Sequence, residues 1–258
     1  MFKRKFQFAL SLLAMLLSLA SFAKGKPEYY EIKTYRFKDA SQKAVVEDYF
    51  KNAAIPAYNR AGIKAVGVFD EADQKDGLKL YVLVTYKSLD QIVSVANKLA
   101  NDVVYLQAAK PYLDADHTTP AYDRFETSIS VAFKDFTTLR VPTTTAPKAE
   151  RVYEYRLYES HSEAKGNKKV AMFNEGGEVK IFERLGFNAV FFAQTIIGAK
   201  MPNLVYITTF DNKASRDEHW KAFGADSEWN RIKVLPEYDH AMTKAEIHFL
   251  TPTAYSQI

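Results

Sequence analysis

The sequence predicts an α+β protein of two tandem ferredoxin-like β-α-β-β-α-β domains, packed sheet to sheet as an α+β barrel. One observation is a strand-like stretch that occurs twice, reading YEIKTY at residues 30–35 and YEYRLY at residues 153–158. A second is that strand-like and helix-like segments follow in the same order after each copy. A third is that the halves align at a shift of 124 residues, which places Arg60 on Arg184. Matches spread over several elements indicate duplication of a whole domain.

Residues 1–23 are predicted to be a secretory signal peptide. The stretch has a basic start at residues 3–5, an almost unbroken apolar run at 6–20 and a small-x-small cleavage site at 21–23. A transit peptide fits less well, because the apolar run is not amphipathic. An uncleaved anchor is the alternative, although the run is short for a membrane span. We therefore expect a periplasmic or secreted protein with no stable membrane span after cleavage.

The amino-acid composition excludes several classes of function. The 258 residues include no cysteine, which excludes disulfides, thiolate chemistry and a lipoprotein anchor. Hydrophobic residues make up 47% of the chain, enough for globular cores. The formal net charge of +4 loses three positive charges with the leader. A nearly neutral mature chain gives no electrostatic reason to expect a nucleic-acid partner.

The first domain is predicted to span residues 28–140. Its strands are predicted at residues 29–38, 63–69, 78–86 and 122–133. Helix N-caps are predicted at Asp39 or Ser41, at Ser88 and at Asp102. We expect Pro56 to end or kink the first helix and Gly62 to stop its last turn. The continuous apolar run at 78–86 indicates a central strand.

Residues 141–149, with two prolines and three threonines, predict a short extended linker. The second domain is predicted to span residues 150–258 and to repeat the order of the first. Its strands are predicted at residues 152–159, 187–197, 204–210 and 244–250. Gly176 and Gly177 are expected to interrupt a helical region at 162–185. Helix N-caps are predicted at Ser215, as a capping box with Glu218, and at Asp226.

The repeated strand is the best candidate for a binding site. Side chains alternate along a strand, so two matching polar faces arise, formed by Glu31, Lys33 and Tyr35 and by Glu154, Arg156 and Tyr158. Helices cover one face of each predicted sheet, and the other face needs a partner. We expect the polar sets to meet between the sheets, where they would line a ligand pocket or form a closed set of ion pairs. The residues expected to face the helices are Ile32, Thr34, Tyr155 and Leu157.

Other polar and aromatic residues give weaker signals. His219 could be a pocket acid, base or ligand, or a helix-packing residue, because no second histidine lies one turn away. The aromatic residues near it are predicted to be core anchors rather than a ligand cage, namely Trp220, Phe223 and Trp229. The spacing of Asp114, Asp116 and His117 fits a solvated loop better than a metal site. His161 and His248 have no context, and no motif identifies a metal or a cofactor.

Residues 216–229 read RDEHWKAFGADSEW. An Arg, Trp, Phe, Asp and Trp at these spacings, with the opening Tyr-Glu-x-Arg/Lys-x-Tyr strand, resemble the NIPSNAP family. The resemblance covers the mature chain as two tandem copies, although the first copy lacks both tryptophans. It implies the dimeric α+β barrel fold, a superfamily that includes small monooxygenases, haem-handling enzymes and decarboxylases. Family members are tied to vesicle traffic and mitochondrial quality control, without a settled catalytic activity.

The sequence is compatible with two functions. The first is an exported, non-catalytic binding or interaction module. The second is a small monooxygenase-like enzyme that acts on a small organic ligand, between the sheets or between sheet and helices. The expected partner is a small organic ligand or another protein, and a homo-oligomer stays open. In either case we expect one compact, pseudo-symmetric unit.

Overall fold

Eight antiparallel strands form one closed barrel, in the order β1-β3-β2-β8-β5-β7-β6-β4. The computed structural model describes residues 25–258, so the predicted signal peptide lies outside the described residues. The strands are β1 (Tyr29–Phe37), β2 (Val66–Glu71), β3 (Leu78–Tyr86), β4 (Arg124–Ala132), β5 (Val152–Glu159), β6 (Asn188–Ile197), β7 (Asn203–Phe210) and β8 (Lys244–Pro252). The prediction of an α+β barrel is confirmed.

Two seams join the halves of the barrel. Within the first half the strand order is β4-β1-β3-β2, and within the second it is β8-β5-β7-β6. One seam pairs β2 with β8 over the three residues Phe69–Glu71. The other pairs β4 with β6 over four residues and contains a register shift between Ile129 and Ser130. Both seams are shorter than the pairing of β1 with β3, which runs over all of Tyr29–Phe37.

The helices lie outside the barrel. They are α1 (Ala40–Tyr49), α2 (Ile55–Ala61), α3 (Leu89–Ala100), α4 (Val103–Ala108), α5 (Lys110–Leu113), α6 (Glu163–Asn174), α7 (Glu178–Arg184), α8 (Lys213–Ala225) and α9 (Ser227–Ile232), with short 3-10 turns at Lys148–Glu150 and Pro236–Tyr238. Within residues 25–258, no helix combines the length and hydropathy needed to cross a bilayer.

One predicted helix boundary is confirmed and one is wrong. The first helical region continues past Pro56 to the predicted stop at Gly62, and a π-helical segment at Phe50–Ala54 joins α1 to α2. Pro56 then lies in the first turn of α2, where a missing N–H is tolerated. Ser215 does not cap α8, because the side chain of Asn212 accepts a hydrogen bond from the Ser215 N–H at 2.9 Å. The cap therefore stands three residues earlier than predicted.

The same fastening appears once in each half. Arg60 Nη2 lies 2.6 Å from Asp102 Oδ2, and Arg184 Nη1 lies 2.9 Å from Asp226 Oδ2. Both aspartates also cap a helix, α4 in the first half and α9 in the second. Each arginine lies in the last turn of a helix and two residues before a glycine in the left-handed region. The alignment at a shift of 124 thus corresponds to one contact made twice.

Three apolar clusters fill the molecule, one under each set of helices and one inside the barrel. Ile32 and Tyr155 belong to the interior cluster, whereas Tyr35 and Tyr158 belong to the helix-side clusters. The predicted sidedness of the repeated strand is therefore wrong. Alternation fixes which residues share a face, but not which face meets the helices. The residues that point into the barrel are Ile32, Thr34, Tyr155 and Leu157.

Candidate functional site

In the second half, the predicted carboxylate lies at the centre of a buried ion cluster. Glu154 on β5 is completely buried. Its Oε1 accepts from Arg156 Nε at 2.7 Å, and its Oε2 accepts from Arg216 Nε at 2.8 Å and from Trp220 Nε1 at 2.7 Å. Burial favours the neutral acid, but the Arg216 and Arg156 guanidinium groups outweigh it and lower the pKa of Glu154. Glu154 is therefore an ionised structural anchor between β5 and α8.

The cluster continues through hydroxyl groups. Arg156 Nη1 donates to the Tyr158 hydroxyl at 2.8 Å, and that hydroxyl lies 2.7 Å from the Tyr206 hydroxyl. The Arg156 guanidinium also lies over the Trp220 ring, 3.8 Å from its centroid. We call this set the Glu154 cluster; it consists of Glu154, Arg156, Tyr158, Tyr206, Arg216 and Trp220. Its polar groups satisfy one another.

In the first half, the matching strand carries a weaker ion pair. Glu31 is nearly buried, and its Oε1 lies 2.6 Å from Lys33 Nζ. The Tyr86 hydroxyl donates to Glu31 Oε2 at 3.0 Å, and the Thr127 hydroxyl donates to Oε1 at 3.2 Å. One ammonium and two hydroxyls thus replace the two guanidiniums and the indole around Glu154.

The helix-side core of the first half also contains a set of tyrosines that are hydrogen-bonded to one another. The Tyr35 hydroxyl bonds the Tyr112 hydroxyl at 2.9 Å, and the Tyr49 hydroxyl bonds the Tyr105 hydroxyl at 3.0 Å. The Tyr49 and Tyr112 rings stack with centroids 3.8 Å apart. Burial raises the pKa of Tyr35 and of Tyr49, so both stay neutral phenols. We call Tyr35, Tyr49, Tyr105 and Tyr112 the tyrosine cluster.

His219 is placed as a helix-packing residue. Its Nδ1 donates to the Ser215 carbonyl at 2.7 Å, and its ring packs edge-on against Phe187. The neighbouring aromatic residues, predicted as anchors, all pack in the helix-side core of the second half: Trp220, Phe223 and Trp229. Trp220 is also a hydrogen-bond donor to Glu154, which its core role did not predict.

A cavity of about 470 Å³ opens at one end of the barrel. It lies between the halves, since β1, β3 and β4 of the first half and β5 and β8 of the second all contribute side chains. The apolar cluster inside the barrel forms its floor. Its lining includes Ile32, Arg36, Tyr81, Tyr155, Leu157 and His248. We call this cavity the barrel mouth.

One wall of the barrel mouth carries a carboxylate–imidazole pair. His248 Nδ1 on β8 lies 2.5 Å from Glu71 Oε1 on β2 and 3.3 Å from the Tyr81 hydroxyl. Lys79 Nζ lies 3.0 Å from the other Glu71 oxygen, and both of these side chains are buried. Among the described residues, Nε2 of His248 has no hydrogen-bond partner. We call Glu71 and His248 the Glu71–His248 dyad.

The rim of the barrel mouth carries both signs of charge. Burial would raise the pKa of Glu246, but hydrogen bonds from Lys200 and Lys244, each 2.6 Å long, lower it to about 2. Arg36 is exposed and has no ion-pair partner within residues 25–258. The rim therefore offers one guanidinium that the protein does not neutralise by direct contact.

Sequence reasoning missed the Glu71–His248 dyad. The two residues are 177 positions apart and belong to different halves, so no local motif joins them. The alternation of Glu246, His248 and Leu250 along β8 is the signal that places His248 inside the barrel once closure is known. The loop candidates are used differently: the Asp116 carboxylate accepts from the Thr118 N–H at 2.8 Å, which closes a turn.

Comparisons with known proteins concern the second half and the overall fold. The NIPSNAP family model matches residues 153–257. A search of curated proteins finds no match. Among solved structures, a protein of Fusobacterium nucleatum that is provisionally named a monooxygenase is 11% identical, over 88% of this chain and 93% of its own, with a TM-score of 0.58.

A second protein with the same provisional name, from Lactobacillus acidophilus, is 12% identical over 88% of this chain and 94% of its own, with a TM-score of 0.55. A NIPSNAP family protein of Agrobacterium tumefaciens is 22% identical over 45% of this chain and 97% of its own, with a TM-score of 0.36. At these identities, the first two neighbours show that the eight-stranded α+β barrel is shared, and nothing about activity.

Proposed function

Residues 153–257 form a NIPSNAP domain, and from that premise we propose that the chain is a binding module whose ligand, a small organic molecule, occupies the barrel mouth. The observation that carries this proposal is the cavity of about 470 Å³ between the halves. Sites for small molecules measure about 300–1,000 Å³ and combine an apolar surface with a few polar groups. The barrel mouth has both.

The lining favours a small amphipathic acid. Ile32 and Leu157 give an apolar floor, and Tyr81 and Tyr155 add aromatic faces. Arg36 at the rim has a planar guanidinium that suits a carboxylate. A ligand with one apolar group and one carboxylate matches this arrangement better than a neutral polar molecule does.

The proposal extends to the origin and location of the module. Each half has the strand order of a ferredoxin-like unit, and each is fastened by an Arg–Asp pair. We take the halves to be tandem copies of one domain, divided near residues 141–149. The leader-like pattern at residues 1–23 supports export to the periplasm or to the medium.

A second candidate function is a small enzyme that acts on the same ligand. The observation in its favour is the Glu71–His248 dyad, whose Nε2 has no partner among the described residues. A pair of this kind serves acid–base chemistry and requires no cofactor.

Binding can be tested on the mature chain with three probes, phenylpyruvate, benzoate and benzyl alcohol. Calorimetry and ligand-observed NMR should show binding of the two carboxylates and weaker binding of the alcohol. Thr34→Phe places a ring in the barrel mouth and should weaken binding about tenfold or more. Thr119→Phe, on an exposed loop, is the matched control and should bind like the wild type. Equal binding by both variants, or no binding of any probe, would overturn the proposal.

A further inference from the structure

We propose that the Glu71–His248 dyad removes an acidic proton from the carbon next to the carbonyl of a small 2-oxo acid, so that the protein catalyses enolisation in the barrel mouth. This inference rests on the proposed function, because it needs the acid to bind there. It goes further in naming the substrate class, the reaction and the group that carries the proton.

The geometry of the dyad fits a general base. The Glu71 carboxylate accepts from His248 Nδ1–H at 2.5 Å, which leaves the lone pair on Nε2. The carboxylate also stabilises the imidazolium that forms when Nε2 takes a proton. Lys79 Nζ lies 3.0 Å from the second Glu71 oxygen, so an ammonium balances the charge of the carboxylate on the side away from His248. The His248 side chain is 22% exposed, in contact with the cavity rather than sealed in the core.

Closure of the barrel does not explain the dyad. At the shift of 124 that relates the halves, Glu71 corresponds to Thr195 and Lys79 to Asn203. The second seam thus carries neutral groups, and the Thr195 hydroxyl bonds the Ser130 hydroxyl at 3.2 Å. A seam of this barrel therefore closes without ions. The charged groups of the first seam, Glu71, Lys79 and His248, lie beside the cavity, and we assign them a role in its chemistry.

The surrounding groups define the substrate class. Tyr81 and Tyr155 flank His248, with ring centroids 5.7 Å and 6.0 Å from it. Burial raises the pKa of both phenols, so they are neutral donors at neutral pH. The Tyr155 hydroxyl has no hydrogen-bond partner among the described residues and is available to an enolate oxygen. Arg36 suits the carboxylate, which makes a 2-oxo acid with an apolar substituent the best match.

The proposed step needs no oxidant and no leaving group. His248 Nε2 takes a proton from C3 of the 2-oxo acid, and the C–H electron pair becomes the C2–C3 double bond. The carbonyl π pair moves to oxygen, where a phenol hydrogen bond stabilises the negative charge. In the reverse direction the imidazolium returns a proton to C3. In D2O the returned proton is a deuteron, so C3 becomes labelled.

The test is solvent exchange into phenylpyruvate, followed by the loss of its C3 proton signal in D2O, with calorimetric binding measured in parallel. The wild type should exchange faster than buffer alone. His248→Gln should lower the exchange rate by about 10²-fold or more and leave binding in place. His240→Gln is the matched control, because that histidine is exposed and away from the cavity, and it should exchange like the wild type.

Glu71 is a positioning residue and needs its own readout. Glu71→Gln removes the carboxylate that lies nearest to buried Lys79 and could destabilise the fold. The double variant Glu71→Gln/Lys79→Met is therefore tested as well, because it removes the lysine charge together with the carboxylate. In the double variant, exchange at saturating phenylpyruvate should fall about tenfold or more. Lys79 also lines the cavity, so the rates are compared at saturation, with the dissociation constant of each variant measured separately. A purely structural pair would change stability and leave the exchange rate per bound protein intact.

The outcomes separate the two proposals. Binding of phenylpyruvate without exchange above buffer overturns enolisation and leaves the binding module standing. Exchange that survives His248→Gln also overturns enolisation by this dyad. Absence of both binding and exchange overturns both proposals for 2-oxo acids.

Discussion

Under its helices, the first half of the barrel buries tyrosines bonded to one another, whereas the second half buries a carboxylate between two arginines. Both arrangements are built on corresponding strands, since Glu31 lies on β1 beside β4 and Glu154 lies on β5 beside β8. Glu31 pairs with one lysine and two hydroxyls. Glu154 pairs with two arginines and an indole. An Arg–Asp ion pair occurs at the corresponding place in both halves, and in the second half the arginine also lies near Glu228.

The comparison separates features that occur in both halves of the barrel from features that differ between the halves. The strand order, the helix caps and the Arg–Asp pair occur twice and define the unit. The buried polar core differs, so the fold tolerates either solution. A buried ion must be fully paired to be tolerated, and we expect the second half to depend on its central carboxylate more than the first half does.

The largest expected effect is the loss of stability when the central carboxylate of either half is neutralised. Glu154→Gln leaves the partly buried guanidinium of Arg156 without a carboxylate and leaves Arg216 with only the exposed Asp217, and we expect a loss of about 3–5 kcal/mol in the free energy of unfolding. Glu31→Gln is the matched variant and should lose about 1–3 kcal/mol, because its partners are one ammonium and two hydroxyls. Urea unfolding of both variants measures the two losses. Equal losses would contradict the assignment of a stronger anchor to the second half.

A smaller effect should appear as a dependence on pH. The pKa of Glu154 is lowered from 4.5 in the folded chain, so its contribution is fully present above pH 4.5 and is lost as the pH falls through the folded pKa. The difference in unfolding free energy between wild type and Glu154→Gln should therefore shrink as the pH drops below 4.5.

The measurement is the difference in unfolding free energy between the wild type and Glu154→Gln as a function of pH. Burial outweighs the ion pair with Lys169 and raises the pKa of Glu178, so Glu178 contributes to the pH dependence of stability with the opposite sign. Its contribution is common to both chains and largely cancels. A difference that stays constant down to pH 3 would argue against an ionised Glu154.

The smallest effect concerns the fastening that the halves share. Arg60 donates through Nε and Nη2 to one oxygen of Asp102, whereas Arg184 donates through Nη1 to Asp226 and also lies 3.4 Å from Glu228. Double-mutant cycles of each Arg–Asp pair with alanine should return a small coupling energy in both halves, and both couplings should weaken with added salt. A coupling that added salt leaves unchanged would contradict the assignment of that pair as a surface ion pair.

Local sequence was a good guide to the elements. The limits of β3 and β5 are those predicted, because a continuous apolar run and an aromatic alternation identify a strand without knowledge of its partners. Asp102 and Asp226 cap helices as predicted. The NIPSNAP resemblance is also confirmed for residues 153–257.

Long-range information was lacking, and the errors follow from that. The period of the repeated strand fixed its two faces, but the arginine and indole that draw Glu154 under α8 come from residues 62 and 66 positions away. The dyad depends on the seam between β2 of the first half and β8 of the second. A local pattern records neither contact, because both arise only when the barrel closes.

Barrel closure also removes a hazard that a four-stranded sheet carries. A half on its own would expose β2 and β4, or β6 and β8, as edge strands whose free N–H and C=O groups recruit other chains and lead to aggregation. In this protein each of those edges is covered by an edge of the other half. Joining the halves in one polypeptide raises the effective concentration of each edge for its proper mate. The covalent link between the halves thus favours pairing of these edges within one chain over pairing between different chains.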